Sequence, residues 1–257
     1  MKRFLLSMAV VFSGALSADT ESDFWLAYAT DTPPPLIDHS SFDTLLKRHL
    51  SERAHAEWGH RFNPDGVSRK EKKALKSYIS SLEDIDPRYY DYDQQLAYWL
   101  NLYNAITVSA LVDADDFGDI KNLRTKKVAT VAGKKITQEY IAQNILMPIW
   151  QDSSIYFLLS CGALDCPPVP YEAYRPETAR QQAKGAMEAY LNGPSGYRLA
   201  DGTLHLPRAF AYFASYYSSN EAMIKRLAFV VPGNEALTLL GHSGAVEYSQ
   251  HNALAKP

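Results

Sequence analysis

One predicted helix constrains the fold of this chain more than any other segment. Residues 93–112 are predicted to be helical and are apolar on nearly every side. A helix at a protein surface is apolar on one face, whereas a helix that is apolar all round is buried. We therefore expect this helix to lie at the centre of the protein, with other elements packed around it.

Two carboxamides lie on this predicted central helix. Asn101 and Asn104 are three residues apart and therefore share one face of the helix. A buried amide left without a hydrogen-bond partner costs about 1–3 kcal/mol, so both side chains need partners. Either they tie down a neighbouring loop, or one of them orients a catalytic base or donates a hydrogen bond to an oxyanion.

Both cysteines of the chain, Cys161 and Cys166, lie in one short loop. The apolar run at 155–159 that precedes them predicts a buried strand. Three interpretations are open for the thiols. They form a disulfide, if Gly162 lets the chain fold back; or Cys166 is reactive beside a structural Cys161; or both are inert and buried. No second pair of ligands accompanies them, so we predict no metal site.

The N-terminus predicts export. Lys2 and Arg3 precede an apolar stretch at 4–12, and small residues follow as far as Ala18. This order is typical of a secretory signal peptide, and the apolar stretch is too short to span a membrane. We expect residues 1–18 to be removed and residues 19–257 to form a periplasmic or secreted domain with no integral membrane segment. In such a compartment a lone pair of cysteines is commonly a disulfide.

Chain length and net charge limit the number of domains and the kinds of partner that we expect. The chain has 257 residues, a length that fits one large domain or two small ones and can bury a substantial core. Its formal net charge is −3. No strong electrostatic field is present, so nucleic acid is not expected as a partner. We also expect no cofactor.

Hydrophobic periodicity and turn signals predict the remaining elements. Helices predominate, the few strands lie mostly in hairpins, and no strand–helix alternation repeats. This pattern is typical of a helix-rich, single-domain α+β fold. The predicted helices cover about 42–56, 69–82, 93–112, 138–147, 179–191, 207–217 and 221–229; the hairpins lie at 128–136 and 197–206, and a last strand at 244–248.

The sequence around the two asparagines resembles a known family. Residues 98–105, Y-W-L-N-L-Y-N-A, are similar to the block F-W-I-N-x-Y-N-A of the family catalogued as domain of unknown function 547. The resemblance covers residues 94–248. No general activity is assigned to this family, so the resemblance does not imply one for this chain. It also suggests a relation to papain-like or transglutaminase-like thiol enzymes. Further blocks of the family are matched in the same order at 128–141, 144–148, 157–167, 172–174 (E-A-Y) and 206–212.

The chain departs from the family at one informative place. The family usually carries a Glu-His pair on the helix before the cysteine strand, where this chain has Ala142 and Gln143. A thiol nucleophile needs a nearby base to form a thiolate, and the amide of Gln143 takes no proton. His205, on the later hairpin, offers an alternative base in the Cys-then-His order of papain-like enzymes.

Two functional hypotheses follow, and the sequence does not decide whether the chain is an enzyme. In the first, the chain is a thiol hydrolase or acyltransferase that acts on amide bonds through an impaired site. Cys166 is then the nucleophile and His205 the base, while Asn101 or Asn104 orients the base or stabilises an oxyanion.

In the second hypothesis the chain is a non-catalytic envelope protein. It uses the same cleft to bind a peptide, a glycan or a partner protein, or serves as a scaffold there. Gln143, Cys161 and Tyr103 are the expected binding residues beside the catalytic candidates of the first hypothesis.

Overall fold

Helix α3 (Tyr92–Asp113) lies at the centre of the protein, as its composition predicts. Every residue from 95 to 108 is buried. Asp91 caps the N-terminus of the helix, and its carboxylate accepts hydrogen bonds from the backbone N–H groups of Asp93 and Gln94. The computed structural model describes residues 21–28, 34–51, 61–163, 166–193, 196–207, 210–211, 217 and 219–248.

Two helices that precede α3 in the sequence form part of its surroundings. Helix α1 (Ser40–His49) packs on α2 (Arg69–Glu83), and α2 packs on α3. A capping box opens α2, in which Ser68 and Glu71 exchange side-chain and backbone hydrogen bonds. Helix α1 ends earlier than predicted. The next two residues, Leu50–Ser51 (β1), instead pair antiparallel with Arg61–Phe62 (β2).

The helical segment at 138–150, α5, continues past the proline at which it was predicted to end. It consists of an α-helical turn Gln138–Tyr140, a π-helical stretch Ile141–Leu146 and a last turn Met147–Trp150. Proline normally clashes with the carbonyl four residues before it. A π-helical turn spaces its carbonyls differently, so Pro148 follows it without ending the helix.

The predicted strand at 155–159 is wrong. Residues Ser153–Leu158 form a 3₁₀ helix instead. The side chain of Asp152 accepts hydrogen bonds from the backbone N–H and the hydroxyl of Ser154, which starts the turn. All residues from 154 to 158 are buried, and the segment packs on helix α6 (Ala179–Leu191). A short apolar run cannot by itself distinguish a strand from a buried helix.

Both predicted hairpins are confirmed. Strands β3 (Lys127–Val131) and β4 (Lys134–Thr137) join through Ala132 and Gly133, both with positive φ. Strands β5 (Arg198–Ala200) and β6 (Thr203–Leu206) join through Asp201 and Gly202, at φ 50° and 73°, as expected for an Asp-Gly turn. The last predicted strand, β7 (Val246–Tyr248), lies parallel to β6.

The architecture is α+β, as predicted, with several helices and three small sheets in the part of the chain that the structure describes. Helix α4 (Phe117–Ile120) follows α3, and α7 (Asn220–Ala228) and α8 (Gly233–Leu240) pack together near the C-terminus. The predicted signal peptide at 1–18 and most of the predicted helix at 207–217 lie outside the described residues. Among the helices that are described, none combines the length and the apolar composition needed to cross a membrane.

Candidate functional site

Asn101 is fully buried and holds the segment that carries the E-A-Y motif. Its Oδ1 accepts a hydrogen bond from the backbone N–H of Tyr174, and its Nδ2 donates one to the carbonyl of the same residue, both at 2.9 Å. The carboxamide thus pairs with both backbone groups of one residue, groups that need partners when buried. These bonds agree with the loop-tethering interpretation of Asn101.

Asn104 tethers the segment that leads into the cysteine loop. Its Nδ2 donates to the carbonyl oxygens of Leu100 and Leu158, both at 2.8 Å. Its Oδ1 accepts from the backbone N–H of Ser160 at 3.2 Å. A side-chain amide has two protons, so Asn104 has none left to donate to an oxyanion in this arrangement.

Two further residues, Thr107 and Gln138, belong to this row of buried polar side chains, and neither was predicted from the sequence. The Thr107 hydroxyl lies 2.8 Å from the carbonyl oxygen of Ser160. Nε2 of Gln138 donates to Thr107 Oγ1 at 2.7 Å and to the carbonyl of Tyr103 at 3.0 Å. The spacing from Asn104 to Thr107 repeats that from Asn101 to Asn104, so the three-residue period could have revealed Thr107. Tyr103 itself has a buried side chain.

Cys161 and Cys166 form a disulfide, with their Cα atoms 5.7 Å apart. The loop closes through Gly162, which adopts a left-handed conformation with φ of +79°. A Cβ at this position would lie 3.0 Å from Ile120 Cδ1, so glycine is required for two reasons. Leu164 and Asp165, within the loop, lie outside the described residues.

The disulfide bears directly on the nucleophile hypothesis. A cysteine attacks as its thiolate, and Cys166 has no thiolate while it is bonded to Cys161. Cys166 is also only 8% exposed. In this oxidised form Cys166 is therefore not available as a nucleophile, and that role stays a prediction for the reduced chain.

The remaining candidates from the sequence, His205 and Gln143, have described interactions with other residues. His205 lies in β6 opposite Arg198 and Glu247, and its Nδ1 is 3.6 Å from Glu247 Oε2. Gln143 is half-buried on the π-helical stretch of α5, where its Nε2 donates to Glu139 Oε1 at 3.4 Å. Their roles as base and binding residue stay predictions, and the interactions described for them do not include the disulfide.

A cavity of about 540 Å³ is lined in part by the segment that Asn101 holds. One wall is the stretch 36–40 with the first turns of α1, and the opposite wall is the stretch 172–177. Gln94, in the first turn of α3, contributes to the lining. The Asn101–Tyr174 bonds fix the wall at 172–177 against the central helix.

Residues 87–191 match the family model described as "Protein of unknown function, DUF547". The chain contains a DUF547 region. The match covers α3, both asparagines, the disulfide and the E-A-Y segment, and it ends with α6. The similar block at 206–212 lies beyond it. No curated protein and no solved structure matches the chain.

The cavity lies where the DUF547 region meets the preceding part of the chain. Asp43 on α1 accepts a hydrogen bond from the backbone N–H of Ala173 at 3.1 Å. Lys47 Nζ lies 2.9 Å from Asp43 Oδ2 and 3.4 Å from Glu172 Oε2. Arg175 reaches the other oxygen of Glu172 at 3.5 Å. Charged side chains of both signs therefore join the two walls.

A half-buried histidine adjoins these charges. His39 Nδ1 lies 2.6 Å from the hydroxyl of Tyr78 on α2. Burial lowers the pKa of His39 to about 4, although the nearby Asp38 carboxylate partly opposes the shift. The imidazole is consequently neutral at neutral pH. Among the described residues, no group of three or more His, Cys, Asp or Glu side chains is placed to hold a metal ion.

Proposed function

We propose that this chain is a non-catalytic binding protein whose DUF547 region is a scaffold held together by the Cys161–Cys166 disulfide. That disulfide is the observation that carries the proposal. It joins both cysteines, so no free cysteine is present among the residues that the structure describes. A thiol hydrolase or acyltransferase would need Cys166 as a thiolate.

The hydrogen bonds of the asparagines support the same proposal. Asn104 donates both amide protons to backbone carbonyl oxygens. Asn101 forms hydrogen bonds with both the N–H and the carbonyl of Tyr174. Both side chains are fully buried. A group that stabilises an oxyanion must direct a donor at the reacting atom, whereas these donors point into the protein.

We also propose that the protein works in the periplasm or outside the cell. A disulfide persists in an oxidising compartment and is rare in the cytosol. The predicted signal peptide at 1–18 points to the same destination. The ligand is then a molecule of the envelope or of the surrounding medium.

The ligand site that we propose is the cavity between residues 36–47 and 172–177, and a peptide suits it better than a glycan. The lining combines charges of both signs with aliphatic side chains. Among the described residues that line it there is no Phe, Tyr or Trp, the side chains whose large rings would stack on a sugar. Peptides present the mixture of charged, polar and aliphatic groups that this lining complements.

Thiol labelling combined with an activity assay tests this proposal. The mature protein, purified without reductant, is denatured and treated with iodoacetamide, and we expect no label on Cys166 by mass spectrometry. A separate sample, kept native and free of iodoacetamide, is reduced and incubated with peptide amide substrates. We expect no turnover that depends on Cys166. Hydrolysis or acyl transfer that is retained in C161S and lost in C166S would instead establish the thiol-enzyme hypothesis.

A further inference from the structure

We infer that the outer face of the β3–β4 hairpin docks on the surface of a membrane that contains anionic phospholipid. This surface is separate from the cavity between residues 36–47 and 172–177 and goes beyond the function proposed for that cavity. Two independent observations support it: lysines without partners on an unpaired sheet face, and the place of the hairpin beside the start of the predicted mature chain.

The segment that forms this hairpin is basic, although the whole chain has a formal net charge of −3. Residues 120–138 include six lysines and arginines and no aspartate or glutamate. Three of these lysines, Lys126, Lys127 and Lys135, are exposed. None of the three side chains forms an ion pair or a hydrogen bond with a residue that the structure describes.

Two of the three lysines share the outer face of the hairpin. The opposite face is buried and carries Ala129, Val131 and Ile136. Lys127 lies opposite Thr137 in the sheet, and Lys135 is two residues from Thr137, so both lysines are on the same face. They are diagonal neighbours on adjacent strands. Their like charges repel each other, and a nearby anion offsets that repulsion.

The carboxylates described next to the hairpin are not paired with the three lysines. Glu83 Oε1 accepts a hydrogen bond from the backbone N–H of Thr130 at 2.7 Å, and Glu83 forms no ion pair within the described part of the chain. Glu21 lies 3.3 Å from Lys134 Nζ. The positive charge of the three lysines is therefore left for a partner outside the chain.

The hairpin also contacts the segment that follows the predicted signal peptide. Lys134 Nζ lies 3.3 Å from the Glu21 carboxylate and 3.9 Å from the ring centroid of Phe24. Trp25 fixes the same segment on the central helix, because its ring centroid lies 5.0 Å from that of Trp99. Residue 21 is three positions after the predicted signal peptide, which lies in the membrane during export. We therefore expect the hairpin to be close to the membrane at that stage.

Lysines suit a charged surface better than they suit a single acidic group of a protein. An ammonium group is a point charge, without the fixed fork by which arginine recognises one carboxylate or phosphate. Several unpaired lysines attract many negative charges at once, and a bilayer with anionic headgroups presents such a layer. Charge complementarity therefore favours an anionic membrane as the partner.

Vesicle co-sedimentation of the mature, oxidised protein tests the inference. One set of vesicles contains phosphatidylcholine alone, and the other contains equal amounts of phosphatidylcholine and phosphatidylglycerol. We expect the protein to sediment with the anionic vesicles and not with the neutral ones. We also expect the bound fraction to fall as the salt concentration is raised, a measurement that needs no variant.

The triple variant K126Q/K127Q/K135Q removes the three charges from the exposed surface. A lysine close to an anionic membrane contributes about fivefold in affinity. The variant is therefore expected to bind the anionic vesicles about 10- to 100-fold more weakly than the wild type.

The triple variant K70Q/K73Q/K184Q is the matched control. Its three lysines are also exposed and also lack ion pairs among the described side chains, but they lie on α2 and α6. It changes the net charge of the protein by the same amount, and it should bind the anionic vesicles like the wild type. Melting temperatures of both variants check that the fold is intact.

Equal weakening in the two triple variants would overturn the inference, because net charge and not the hairpin would then be responsible. Equal binding to neutral and anionic vesicles would overturn it as well. So would a protein that sediments with neither but binds polyglutamate through the three lysines, which would assign the surface to an acidic protein. None of these results involves the cavity or Cys166, so failure here leaves the proposed function standing.

Discussion

Asn104 and Ser160 are joined by a hydrogen bond of 3.2 Å, from the backbone N–H of Ser160 to Oδ1 of Asn104. Ser160 immediately precedes Cys161, so this bond ties the central helix to the start of the disulfide loop. The hydroxyl of Thr107, one turn further along the helix, contacts the carbonyl of the same residue. Both backbone groups of Ser160 are therefore held by side chains of α3.

Asn104→Leu is expected to destabilise the protein by about 1–3 kcal/mol, because it leaves the buried N–H of Ser160 without a partner. It also removes one of the two hydrogen bonds to the carbonyl of Leu158, which keeps the one from the Tyr174 hydroxyl. The free energy of unfolding is measured by urea titration. Asn192→Leu is the control, since Asn192 also donates to a carbonyl four residues earlier but is exposed. Equal losses in the two variants would show that Asn104 does not act as a buried tether.

Gly162→Ala and Gly185→Ala are expected to have opposite effects on stability. At Gly162 the positive φ and the short contact with Ile120 make alanine unfavourable, by about 1–3 kcal/mol. Gly185 lies within α6, where an added Cβ meets nothing within 4 Å, so alanine there should stabilise the helix by about 0.5–1 kcal/mol. Thermal denaturation of the two variants checks this, and a stable Gly162→Ala would contradict the described loop.

Reduction of the Cys161–Cys166 bond is expected to lower stability by about 2 kcal/mol, the chain-entropy value for so short a loop. Melting temperatures are compared with and without a phosphine reductant. The double variant C161S/C166S serves as control and should melt at one temperature in both conditions. A shift of the same size in that variant would mean that the reductant acts elsewhere.

Stability is expected to fall as the pH is lowered from about 6.5 to about 4 through the titration of His39. Its pKa in the folded state is lowered to about 4 by burial, whereas an unfolded histidine titrates near pH ~6.5. Between these values the unfolded chain binds more protons, so its free energy drops relative to the folded state. His39→Phe should flatten this part of the stability–pH curve measured by urea titration. An unchanged slope would show that another group is responsible.

Local chemistry was sufficient to predict several elements of this protein. Ser68 and Glu71 cap α2 through contacts within one turn, and Asp201 and Gly202 close a hairpin through their own backbone preferences. The burial of α3 followed from its composition, because a helix that is apolar on every side has no face to present to water. The family resemblance, too, depended on residues that are close together in the chain.

The tertiary structure decided what the local patterns left open. The run at 153–158 is a 3₁₀ helix because Asp152 starts it and α6 packs on it, neither of which an apolar run reveals. The burial of Asn101 and Asn104 implied that each needs hydrogen-bond partners. The partners that hold distant segments lie 54 to 73 residues away in the sequence. The cavity joins α1 to residues 172–177 through Asp43 and Ala173, which are 130 residues apart. Such contacts depend on how distant segments fold together, and no local spacing encodes them.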